Sequence, residues 1–243
     1  MSDELGILWP ALAAGLLVAA THVPLGMRVL ERGIVFIDLA VAQFAALGVV
    51  AAGALGYGEH AVVVQAAALA AALAGVLLLD RTERIWPEVQ EAVIGVSFIL
   101  AANAAILLLA ANPHGAEHLK DLLTGQILWV TPAKLAVAAL VSAGVLAAWF
   151  GLRPRGTGFY LLFAIAVTVS VQLVGVYLVF ATLIVPALAT RNRLAAAYAL
   201  AAIGYAAGLA LSLASDLPAG PLVTCAIVAL GAAMMIFRGK SAA

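Results

Sequence analysis

The chain has 243 residues, of which 66% belong to the set AVILMFWYC and 10% are charged, where a soluble domain carries roughly 25% charged residues and about half apolar ones. With 22 glycines besides and a mean hydropathy of +1.16, the sequence cannot supply the polar surface of a soluble globule. Its 12 basic and 12 acidic residues cancel and form no basic run, which excludes nucleic-acid binding and leaves an all-α, polytopic transmembrane helical bundle.

The start, Met1-Ser2-Asp3-Glu4, is acidic where a signal peptide is basic, so the first apolar run is expected to be retained. Apolar runs between polar breaks predict spans at about 8–28, 34–56, 60–79, 90–110, 132–150, 158–172, 175–190, 194–214 and 220–237, against the ~20 residues of a full crossing. The first carries His22 beside Pro24, and the second carries Asp38 and Gln43. The stretch 112–131 interrupts the spans but holds the apolar run Ile127–Val130, which predicts a re-entrant or surface-lying helix. Residues 158–190 are long for one crossing and short for two; Gly175 and Pro186 point to a broken or tightly turned pair, giving eight or nine spans. Gly204 and Gly208 form a GxxxG on the next span, expected to pack closely inside the subunit, with a subunit interface as the alternative. No linker divides the chain, and residues 1–243 read as one transmembrane domain.

Under nine spans, Arg28, Arg32, Arg81, Arg84, Arg153, Arg155, Arg191, Arg193, Arg238 and Lys240 fall on one side, with Lys120 and Lys134 on the other. The positive-inside rule makes the first side cytoplasmic, which puts the N-terminus outside and the C-terminus inside.

The four histidines then lie away from the cytoplasm: His60, His114 and His118 in outer loops and His22 inside the first span. Imidazole with the nearby carboxylates, Glu117 above all, suits Zn²⁺, Mn²⁺ or Fe²⁺ better than Ca²⁺ or Mg²⁺, which prefer all-oxygen sites. His114–Glu117–His118 also spells the H-x-x-E-H of inverted zincins, but Pro113 and Gly115 oppose the helix that mechanism requires. Gly239-Lys240-Ser241 echoes a phosphate loop without its partner glycine, since that position is Met234, so no ATP site is expected there. Asp38 lies about a turn inside its span, where a carboxylate costs up to about 2.5–3.5 kcal/mol at the centre and less near the rim, so such a residue marks a pathway. The helix rise sets His22 and Asp38 at similar depth on either side of the Arg28–Gly33 turn, able to face each other, with Gln43 slightly deeper. Asn103, Gln172 and Thr182 are expected to hydrogen-bond between helices. The lone Cys225 allows neither an internal disulfide nor a cysteine zinc site.

Several segments, in order, resemble the integral-membrane permeases of zinc/manganese-type ABC importers. They are Arg32–Val50, Glu91–Phe98 (EAVIGVSF), Asp121–Leu128 (DLLTGQIL), Val169–Arg191 (VSVQLVGVYLVFATLIVPALATR) and Gly208–Pro221 (GLALSLASDLPAGP). The resemblance implies a homodimeric permease with its metal path on the two-fold axis. It also implies a cytoplasmic ABC ATPase that hydrolyses the ATP, and an extracytoplasmic metal-binding protein that delivers the ion. The chain itself is then no enzyme but a multi-pass transport subunit of a bacterial inner membrane, with a divalent metal as cargo and no covalent cofactor. His114, Glu117 and His118 would receive the ion; His22, Asp38 and Gln43 would line or gate the inner path.

Two departures from the family pattern stand out. Aligned on Gly48-Val49, the family's Asp-x-x-x-His pair falls at Leu39 and Gln43, with Asp38 one residue and about 100° away. The family's cytoplasmic coupling helix has only Gly151–Gly158 (GLRPRGTG) to occupy, too short and too rich in breakers for a helix. The expected function is an ABC importer permease for Zn²⁺, ahead of Mn²⁺ or Fe²⁺. The rivals are an ATPase-independent metal channel or secondary transporter, and a non-transporting accessory subunit.

Overall fold

In hydrocarbon every backbone N–H and C=O must be paired within its own segment, and the apolar runs of this chain meet that demand as helices. The computed structural model describes residues 2–109, 123, 125–191 and 193–240. Among them lie nine α-helices and no strand: α1 (Ser2–Arg32), α2 (Ile37–Ala54), α3 (Ala61–Ile85), α4 (Gln90–Leu109), α5 (Pro132–Leu152), α6 (Thr157–Val174), α7 (Val176–Thr190), α8 (Leu194–Ser215) and α9 (Ala219–Lys240). Eight of these regions are long and apolar enough to cross a membrane, while α7 is shorter. At ~1.5 Å per residue its 15 residues reach only about 22 Å.

The pair expected within 158–190 is α6 and α7, joined at Gly175. This residue has φ 85° and ψ 162°, a region open in practice to glycine alone. The chain reverses there. Thr157, at the start of α6, bonds the end of α3, whereas Leu183 of α7 already lies against Gly26 in the second half of α1. A side chain at Gly26 would collide with the Leu183 carbonyl. Small residues bring the other neighbours equally close, as expected where lipid gives helices no hydrophobic reason to associate. Gly48 meets the backbone of Ala67, and Gly204 and Gly208 meet Ile227 and Val223, so the GxxxG of α8 packs on α9 inside the subunit.

The bundle has an inner and an outer set of helices. Spans α2 and α6 are 61% and 67% buried, against 17% for α4 and α5. Helix α2 packs on α3, α4 and α6, and α1 packs on α5, α7 and α8. The described part of 112–131 contains a 3₁₀ turn, Ile127–Trp129, with Ile127 buried and Trp129 exposed, while most of the stretch where a re-entrant or surface-lying helix was expected lies outside the described residues. His114, Glu117 and His118 lie outside the described residues.

One end of the bundle gathers arginines. Arg32 grips Glu83 through 2.6 and 2.8 Å bonds, the Tyr160 hydroxyl donates to the same carboxylate at 3.0 Å, and the guanidinium covers the rings of Phe159 and Tyr160. Arg84 and Thr157 both donate to Asp80, at 2.9 Å each. This end of α1, α3 and α6 is thereby tied together. Lys134 lies elsewhere, in a cavity with Gly53 near the other end of α2 and Gly58 of the α2–α3 link.

Candidate functional site

The carboxylates sort themselves by partner. Glu31, Asp80 and Glu83 each pair with an arginine. Asp38, at the start of α2, is fully buried and neither of its oxygens has a hydrogen-bond partner. A buried polar group without a partner costs about 1–3 kcal/mol, and more when charged, so it calls for a bound proton or cation. On α1, His22 is likewise fully buried. Its Nδ1 lies 3.1 Å from the Val18 carbonyl oxygen and 3.0 Å from the Thr21 hydroxyl, while Nε2 has no partner. An Nδ1–H donating to that carbonyl fixes the tautomer that leaves the Nε2 lone pair free, the arrangement in which histidine binds metals.

Gln43 is buried on the same helix as Asp38 but five residues on, about 140° round it, so the two side chains do not share a face. Leu39 and Gln43, four apart, do share one. His22 and Asp38 are not bonded to each other, and among the described residues no group of three His, Cys, Asp or Glu side chains comes together to hold a metal. His22, Asp38 and Gln43 are thus buried on α1 and α2, and no hydrogen bond joins His22 to Asp38. His60 stands exposed at the residue before α3.

Glu91, which the sequence placed at a span end, reaches further than its position indicates. Its Oε1 accepts the Phe36 N–H at 3.2 Å and so caps α2 from α4, while its Oε2 is buried without a partner. A second carboxylate thus stands at the start of the helix that carries Asp38, where the helix dipole favours negative charge. On α6, Thr168 Oγ1 and Gln172 Nε2 are also buried and unpartnered, four residues apart on one face. Gln172 belongs to a cavity of about 550 Å³ bounded by α2, α3, α4, α5 and α6, with Gln126 and Lys134 among its walls. Of the other two intramembrane polar groups, Thr182 bonds Tyr205 of α8 at 2.9 Å as expected. Asn103 does not bond another helix; it donates to Ile99 one turn back on its own helix and faces outward.

Comparison with known proteins decides the family. The sequence profile of the ABC 3 transport family matches residues 4–155 and 146–238. The chain belongs to this family. It is thus a multi-pass membrane permease of the metal-type ABC class, as its motifs led us to expect. The two matched pieces meet at 146–155, where the family's coupling helix was expected and where only Arg153–Gly156 separate α5 from α6. Among solved structures, PsaBC from Streptococcus pneumoniae in complex with Fab aligns with a TM-score of 0.74 at 18% identity, covering 94% of this chain and 90% of that one. An inward-facing metal-chelate type ABC transporter aligns with a TM-score of 0.55 at 14% identity, covering 94% of this chain and 75% of that one. Likeness at such identities is one of fold. No curated protein matches the sequence.

Proposed function

We propose that this ABC 3 family permease carries a divalent transition-metal ion into the cytoplasm as a homodimer in a bacterial inner membrane, with Zn²⁺ preferred to Mn²⁺ or Fe²⁺. A separate cytoplasmic ABC ATPase supplies the energy, and an extracytoplasmic metal-binding protein delivers the ion. The reading rests above all on Asp38, a fully buried carboxylate neither of whose oxygens has a hydrogen-bond partner. Imidazole nitrogen and carboxylate oxygen together suit the borderline cations Zn²⁺, Mn²⁺ and Fe²⁺. In this reading His114, Glu117 and His118 receive the ion outside, and His22, Asp38 and Gln43 act in sequence along the inner path. The ion passes from one to the next without a closed cage.

The test is uptake of radioactive Zn²⁺ by proteoliposomes containing the permease with its ATPase. Asp38→Asn and His22→Ala should each lower uptake at least tenfold at unchanged protein level; full uptake in both would remove these residues from the path. The short α5–α6 link favours a second reading, transport without an ATPase. ATP-independent Zn²⁺ flux through the permease alone, abolished by Asp38→Asn, would establish that reading instead.

A further inference from the structure

At the arginine-rich end, the second half of α1, the end of α5 and the start of α8 enclose a cavity of about 380 Å³. Three arginines line it: Arg28 on α1, and Arg153 and Arg155 on the α5–α6 link. Its one carboxylate, Glu31, is taken by Arg28 at 3.0 Å. Arg32 and Arg84, at the same end, are paired with Glu83 and Asp80, but the guanidinium groups of Arg153 and Arg155 have no ion pair among the described residues. The cavity is therefore left with two unmatched positive charges.

Its remaining walls are apolar, with Trp149, Phe150 and Leu194 among them. Phe150 and Leu152 are 56% and 80% exposed, and they continue the bare flank that α5 turns outward along its span. Cationic groups beside the end of an exposed hydrocarbon surface match an amphiphile with a negative head. Arg153 closes α5 in the left-handed conformation, φ 47° and ψ 58°, as Arg191 closes α7 with φ 48° and ψ 56°.

We propose that this cavity binds the phosphate headgroup of an anionic glycerophospholipid, with an acyl chain lying on the bare flank of α5. Guanidinium donors match phosphate oxygens in pairs, and Trp149 lines the cavity with an indole, a ring suited to bridging headgroup and chain. Basic pockets between spans are suited to such headgroups. The site is independent of which ion the permease carries.

Native mass spectrometry of the delipidated full-length permease, titrated with phosphatidylglycerol or with phosphatidylcholine, tests this. The wild type should retain phosphatidylglycerol preferentially. Arg153→Gln/Arg155→Gln should lower that retention about 30-fold, two cations' worth at the cytoplasmic-leaflet scale, with helicity by circular dichroism unchanged. Arg81→Gln, at the same end but outside the cavity, should leave it unaltered. Equal retention of both lipids, or no change in the double variant, overturns the proposal. So does displacement of phosphatidylglycerol by millimolar inorganic phosphate, which would make the cavity a soluble-anion site. Loss of ATPase association in the double variant with lipid retention intact would assign the arginines to a protein contact, and this too overturns it.

Discussion

Single residues in this bundle differ sharply in what they contribute, and the structure ranks them. The hydroxyls of Thr182 and Tyr205 bond in the apolar interior, yet interhelical bonds in membranes average only about 0.6 kcal/mol. Tyr205→Phe should therefore lower the melting temperature slightly, which thermal unfolding in detergent will read. Gly208→Leu should do far more. Its side chain would run into the backbone of Val223, and overpacking a tight contact costs roughly 1–3 kcal/mol. That contrast was legible in sequence, because GxxxG states a packing need in two residues. Glu91 was not. Its bond to Phe36 spans 55 residues and depends on how α4 is rotated against α2, which no local pattern specifies. Asn103 misled for a related reason: polarity inside a span marks a group that needs a partner, and its own helix supplied one through Ile99.

Between elements, the strongest polar tie is the one that gathers α1, α3 and α6 around Glu83. Its side chains are 20% and 25% exposed at Arg32 and Glu83, so the pair is sheltered without being cut off from water. Glu83→Ala strands Arg32 over two aromatic rings and leaves Tyr160 without its acceptor. The loss should be roughly 1.5–3 kcal/mol, the scale of a hydrogen bond to a charged group, and a cycle with Arg32→Gln will show whether the two residues act as one unit. Helix extents were largely legible: the predicted spans differ from the observed ones mostly by a few residues, since apolar length is what the bilayer selects. The 158–190 stretch resolved into two helices because Gly175 tolerates a backbone no other residue accepts. The described end of 112–131 holds a single 3₁₀ turn, Ile127–Trp129. There an apolar run short of a span buries Ile127 and Val130, and Gly125 lies against the Val174–Gly175 backbone.

For the molecule as a whole, the distribution of arginines carries a prediction about sidedness. The structure brings Arg28, Arg153 and Arg155 to one cavity and puts Lys134 in another, as the sorting of basic residues anticipated. Cys225 is the single cysteine, so Cys225→Ser provides a clean background for labelling. In intact cells a membrane-impermeant maleimide should reach Tyr57→Cys from outside and should leave Arg155→Cys unlabelled until the membrane is opened. The reverse pattern would invert the proposed orientation. Architecture and family were thus readable from composition and motif order. The inner site was readable only as a set of candidates, because which polar groups stay unbonded is decided by the packing of all the helices together.

The division into inner and outer helices has a consequence for the membrane itself. The inner spans α2 and α6 have 18 residues each, about 27 Å of helix, whereas the outlying α3 has 25, about 37 Å. Lipid meets mainly the less buried α3, α4, α5 and α9, of 25, 20, 21 and 22 residues. Hydrophobic mismatch is therefore felt at the periphery, where α3 can tilt to suit a thinner bilayer, while the short helices that carry Asp38, Gln43 and Thr168 are screened from acyl-chain length. Changing lipid thickness should alter the tilt and melting of the outer helices well before it disturbs the polar groups at the centre.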